Sequence, residues 1–132
     1  MSSSRLKWAN YYYSIGTMRI YGISNCTTVK KALAWLDEHG QTYEFHDFKK
    51  SGVNVALLNT WAQQVGWEKL LNRQGMTWRQ LPDAIKTSIT TQEAAFALMM
   101  EKTSVIKRPV LEHAHQIVIG FNPAEYAAVL GA

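Results

Sequence analysis

The sequence predicts an α/β fold made of a βαβ unit, an all-helical insertion and a ββα unit. Three observations carry this. An apolar, β-prone run at residues 19–23 passes directly into helical periodicity. The stretch from Val53 to Thr103 loses all strand character. Strands then return at Pro109 and are followed by a last helix opened by Asn122-Pro123.

Taken in order, Ile20, Tyr21 and Ile23 mark the first strand. Beyond a turn, Val29, Ala32, Leu33 and Leu36 recur at helical spacing, with Thr27 or Thr28 as the expected cap. His39-Gly40 stops this helix. Tyr43, Phe45 and Asp47 alternate with Glu44, His46 and Phe48 in a second strand, parallel to the first because a helix connects them. Lys49-Lys50-Ser51-Gly52 reads as a polar break. The insertion, at about 53–104, starts with the stripe Val55, Leu58, Trp61, Ala62 and Val65. It continues with a short helix at residues 67–71, a loop at 72–75, Trp78-Arg79-Gln80-Leu81 before Pro82, and a helix opened by Thr90 or Thr91 with Glu93. Its Met and Trp residues read as core packing. Pro109-Val110-Leu111 and residues 116–120 form an antiparallel hairpin turning through residues 113–115. Tyr126, Val129 and Leu130 pack the last helix, with Pro123 at its first position.

The chain has 132 residues and a formal charge of +4. That length suits one domain, placed at 18–130. Residues 1–17, rich in serine and holding Tyr11, Tyr12 and Tyr13, read as an extension outside the fold. The charge suits anionic small molecules and argues against nucleic acid, because no dense basic run interleaves with aromatics. No apolar run reaches membrane-spanning length. A single cysteine excludes an internal disulfide. The expectation is a cytoplasmic monomer.

That cysteine, Cys26, is the strongest chemical signal. At a strand-to-helix turn the first N–H groups lack intrahelical partners, and with the helix dipole they favour thiolate over thiol. Lys30 and Lys31 add positive charge nearby. Asn25 and Thr28 are expected to cap the turn and orient the sulfur. Arg73 and Arg79 either line the site or pair with Glu68 or Asp83. His113 and His115, two apart, would share a strand face, but without a third ligand they make no metal site.

The segments at residues 21–32 (Tyr-Gly-Ile-Ser-Asn-Cys-Thr-Thr-Val-Lys-Lys-Ala), 66–73 (Gly-Trp-Glu-Lys-Leu-Leu-Asn-Arg), 77–79 (Thr-Trp-Arg) and 106–109 (Ile-Lys-Arg-Pro) jointly resemble the arsenate reductase-like family. The YffB/Spx branch is the most similar. The resemblance implies a thioredoxin-like core with a helical insertion, a nucleophilic thiolate at Cys26 and an anion anchor at Arg108. It also implies a cis bond at Pro109. Arsenate reductases of this family use three arginines. Arg108 matches one, a second falls near Asn72 beside Arg73, and the third falls near Asn122, so arsenate is disfavoured as substrate. Val29 stands where a resolving cysteine would be, so an outside thiol must complete any turnover. The resemblance thus implies a glutathione-dependent thiol–disulfide oxidoreductase with no bound cofactor. Glutathione serves as co-substrate and an oxidised or glutathionylated molecule as substrate. Lys30, Lys107 and Arg108 would hold the glutathione carboxylates, and the backbone before Pro109 its peptide groups. The alternatives are a non-enzymatic Spx-like regulator acting on RNA polymerase, disfavoured by Val29, and a weak arsenate reductase.

Overall fold

The computed structural model describes residues 18–132. The expectation for residues 1–17 lies outside these. The elements run β1 (Met18–Gly22), α1 (Thr27–Glu38), β2 (Tyr43–Asp47), α2 (Phe48–Ser51), α3 (Val55–Val65), α4 (Trp67–Leu70), α5 (Met76–Arg79), α6 (Asp83–Ser88), α7 (Gln92–Glu101), a 3₁₀ turn (Thr103–Val105), β3 (Val110–His113), β4 (Gln116–Ile119) and α8 (Pro123–Leu130).

The four strands form one sheet in the order β2-β1-β3-β4. β1 and β2 are parallel, with Gly22 opposite Asp47, and β3 runs antiparallel to β1, with Val110 opposite Tyr21. β4 closes the hairpin on β3. This is the thioredoxin-like arrangement. Everything that leaves β1 and β2, and everything that enters β3, therefore meets at one end of the sheet.

Alternation along the strands divides the core in two. Met18, Ile20, Leu111 and Val118 face Ala32 and Leu36 of α1 and Tyr126 of α8. Tyr21 and Val110 face Phe48, Leu58, Trp61 and the rest of the insertion. A half-buried carboxylate sits on this second face. The Tyr21 hydroxyl donates to Glu112 Oε1 (2.7 Å) and Trp61 Nε1 donates to Oε2 (2.8 Å). Two donors offset the cost of taking that charge out of water.

The helix starts follow their side chains. Thr91 Oγ1 accepts from Ala94 N–H at the start of α7, and Asn122 Oδ1 accepts from Glu125 N–H at the start of α8, where Pro123 holds the first position.

Several expectations need correction. β1 begins and ends one residue early, because the Ile23 carbonyl closes the turn onto Cys26 N–H (3.1 Å) and leaves the ladder. The polar break after β2 is a helical turn, capped by Asp47 Oδ1 on Lys49 N–H (2.9 Å). Residues 83–88, after Pro82, form a helix that was not expected. Val55 stands outside the core at 55 % exposure, at the first position of α3. Met76 and Met100 are exposed as well, so not every methionine of the insertion packs inward. His115 lies in the two-residue hairpin turn with φ 67°, beyond the end of β3, so it shares no strand face with His113.

Candidate active site

The strand-to-helix turn places Cys26 at the N-cap of α1, in extended conformation (φ −84°, ψ 127°). Its carbonyl already accepts the first helical bond, from Lys30 N–H (3.0 Å). Neither Thr27 nor Thr28 is the cap; the cysteine occupies that place itself. The neutral side chain closes no cap hydrogen bond. Burial pushes the thiol up, but other groups outweigh it. The Val29 N–H, the Arg108 side chain, the Thr28 N–H and the guanidinium charge act together, and the net result holds Cys26 below its ordinary value. An anionic sulfur is thus the cap this helix is built for.

Arg108, two residues before β3, is the cation that acts on the sulfur. Its Nη1 donates to the carbonyls of Ser104 (2.7 Å) and Ile106 (3.3 Å), which pins the guanidinium from behind. Its Nε is hidden from water and bonds to nothing in the protein. Buried donors are seldom left so. The Arg108–Pro109 bond is cis. The 3₁₀ turn is also held by Lys49, whose Nζ donates to Ser104 Oγ (3.3 Å).

The remaining sequence candidates divide. Asn72 belongs to the same end of the sheet. Its N–H donates to the Val105 carbonyl (2.7 Å), and Leu71 bridges to Ile106, so residues 70–72 run beside the segment that carries Arg108. Its Oδ1 accepts from Gln74 N–H (3.1 Å). Lys107 is exposed, and its N–H donates to the Leu70 carbonyl (2.7 Å). Lys30 is exposed in the first turn of α1. The side chains of Asn25 and Thr28 are exposed and make no hydrogen bond among the described residues; Thr28 acts on the sulfur through its main chain. Arg73 neither pairs with a carboxylate nor acts among the leading influences on Cys26. Its guanidinium lies 5.6 Å from the centre of the Trp78 ring. Asp83 pairs with Lys86 (3.8 Å) instead of Arg79, and Arg79 is engaged through its main chain, its carbonyl accepting from Lys86 Nζ (2.9 Å). Ser104 and Lys49 had no sequence signal. They matter only because the 3₁₀ turn folds back on Arg108.

The model of the ArsC family matches residues 21–129. The chain belongs to the ArsC family. Proteins similar to it include an uncharacterized protein of Haemophilus influenzae, 38% identical over 109 residues, covering 83% of this chain and 95% of that one. The global transcriptional regulator Spx of Streptococcus agalactiae is 29% identical over 108 residues, covering 80% and 77%. Among solved structures, the YffB protein is 44% identical with a TM-score of 0.81, covering 86% of this chain and 98% of that one. An arsenate reductase (ArsC) related protein from Brucella melitensis is 43% identical with a TM-score of 0.67, covering 88% and 96%. The ArsC match spans Cys26, the whole helical insertion and Arg108-Pro109. Among the described residues, no helix is long and apolar enough to cross a membrane.

Proposed function

We propose that this ArsC-family protein is a glutathione-dependent thiol–disulfide oxidoreductase with Cys26 as its nucleophile. The observation that carries the reading is the Cys26 sulfur at the head of α1, drawn toward its anion by the Val29 and Thr28 N–H groups and by the pinned Arg108. In the reaction, the Cys26 thiolate attacks the glutathione sulfur of a mixed disulfide. The new Cys26–glutathione disulfide forms as the old S–S bond breaks, and the substrate leaves as a thiolate that takes up a proton. A second glutathione, as thiolate, attacks the same glutathione sulfur, expels Cys26 and departs as glutathione disulfide. Overall the mixed disulfide and one glutathione become the substrate thiol and glutathione disulfide. One S–S bond is lost and one gained, and the proton lost by the incoming glutathione balances the one gained by the substrate.

The external thiol is required because Val29, three positions on, is fully buried under β1 and no second cysteine exists. In this reading Lys107, Lys30 and the guanidinium of Arg108 attract the glutathione carboxylates, and the main chain ahead of Pro109 pairs with its peptide groups. Arsenate is the poorer substrate, since Asn122 caps α8 where an arginine would be needed.

The test is deglutathionylation of a small mixed disulfide, with glutathione consumption as the readout. Cys26→Ser is expected to lose all turnover above background, and the wild type to accumulate a Cys26–glutathione adduct, seen by mass, when the second glutathione is withheld. Turnover retained in Cys26→Ser, or no adduct, would overturn the reading. The likeness to Spx supports a second reading, a regulator that binds a partner without turnover. A wild type that binds partners but transfers no glutathione would favour it.

A further inference from the structure

The topology sorts charge along the sheet. At the Cys26 end stand Lys30 and Lys31 of α1, Lys49 and Lys50 of α2, Lys102 before the 3₁₀ turn, and Lys107 beside Arg108. All six lysines are exposed, and among the described residues no carboxylate comes within 4.0 Å of any of them. The carboxylates at that end are fewer: Asp47, occupied in capping Lys49 N–H, with Glu68, Glu101 and Glu125. At the opposite end lie Asp37, Glu38, Glu44 and Glu112, where Arg19 pairs with Glu44 (3.1 Å). The two ion pairs of the described residues, Arg19–Glu44 and Lys86–Asp83, involve none of the six lysines. The exposed Met76 and Met100 sit on α5 and α7, which both pack against the 3₁₀ turn that holds Arg108. Flexible thioether side chains suit irregular apolar contacts.

We propose that this pole is a docking surface for an acidic polypeptide segment, so that the substrate is a disulfide or glutathione adduct carried within such a segment. The proposal rests on the thiol reading above and narrows its substrate class. A field of one sign around a reactive group gathers oppositely charged partners and raises the encounter rate. Glutathione alone occupies two or three cations, fewer than this end presents. A polypeptide is favoured over nucleic acid because, among the described residues, the large exposed apolar side chains include no aromatic ring on which bases would stack.

The experiment uses two peptides of equal length, each with one glutathione mixed disulfide, one flanked by Glu and Asp and the other by Lys and Arg. The readout is the second-order rate of glutathione transfer to Cys26 in the full chain. At low ionic strength the acidic peptide is expected to react about tenfold faster or more. That ratio should shrink as the screening length falls from about 30 Å at 0.01 M salt to about 3 Å at 1 M. Combining Lys50→Glu and Lys102→Glu should bring the acidic-to-basic rate ratio to about one or below. Because both peptides meet the same thiol in that variant, the ratio is independent of any change in Cys26 reactivity, which alkylation by neutral iodoacetamide records separately. Equal rates, or a preference for the basic peptide, would overturn the proposal. So would stronger inhibition of transfer by a single-stranded oligonucleotide than by the unmodified acidic peptide. If neither peptide transfers glutathione, the reductase reading fails. The charge preference is then decided by peptide binding to Cys26→Ser, where equal affinity for the two sequences sinks it.

Discussion

At the scale of single residues, the site reduces to how strongly one guanidinium acts on one sulfur. Arg108 is held by two carbonyls on one side, which leaves its remaining donors for the thiolate. Arg108→Ala removes both a hydrogen bond and a charge from the anion, so the Cys26 pKa should rise. Once the pKa stands above the working pH, each further unit of rise lowers the thiolate fraction about tenfold. The expected outcome is a pH profile of iodoacetamide alkylation displaced to higher pH, with a slower rate at pH 7. Arg108→Lys should recover part of the shift, because it keeps the charge and loses the planar fork. An unchanged profile in Arg108→Ala would mean that the helix N–H groups alone set the thiol. Position 108 was legible through its neighbour Pro109 and the motif around it. The burial of Nε was not legible, since it depends on Ser104 and Ile106 presenting carbonyls from a turn with no sequence signature. The pairing of Arg73 also escaped notice. Sequence proximity pointed to Glu68 or Asp83, while the fold offers the face of Trp78.

At the scale of elements, the critical contact is between β1 and α1. A Cβ added at Gly22 would lie 2.7 Å from Val29 Cγ2, and Val29 is fully buried with nowhere to retreat. Gly22→Ala should therefore push the start of α1 away from the sheet. Overpacking of this kind costs about 1–3 kcal/mol. Because Val29 N–H is the strongest of the groups lowering the Cys26 pKa, the same variant should raise it. Denaturant melts and the alkylation profile measure the two effects, and a stable variant with an unaltered thiol would show that the interface yields elsewhere. Most elements were legible where a period met a punctuation mark: α1 before His39-Gly40, α7 after Thr91, α8 after Asn122-Pro123. α6 was not, because Pro82 reads as a breaker. With φ −57° it stands just ahead of the helix, where its fixed backbone is no obstacle. The exact span of β1 escaped for a different reason. Ile23 has the side chain of a strand residue, and only its carbonyl, turned onto Cys26 N–H, takes it out of the ladder.

At the scale of the whole molecule, each face of the sheet is sealed by a tyrosine that resists ionisation. Tyr21 lies under the insertion, where burial and then the hydrogen bond to Glu112 push its pKa well above the ordinary value. Tyr126 lies under the other face, raised by burial and by Glu125, with its hydroxyl donating to the Gly120 carbonyl (3.1 Å). In the unfolded chain both would ionise near pH 10. Above that pH the unfolded state has released protons that the folded state still holds, so stability must fall as pH rises. Below it neither state has lost them, and the tyrosines leave stability independent of pH. Lysines titrate in the same range, so the tyrosine share is read by difference. At pH 8, Tyr126→Phe should be less stable than the wild type by about 1 kcal/mol, the worth of one hydrogen bond. Between pH 10 and 11 the wild type should lose stability faster, by up to about 1.4 kcal/mol per pH unit. The gap therefore closes and can change sign. Urea melts of both proteins across this range measure it. A constant gap would mean that Tyr126 ionises as readily folded as unfolded. The seal on the α1 and α8 face would then be loose enough to admit water.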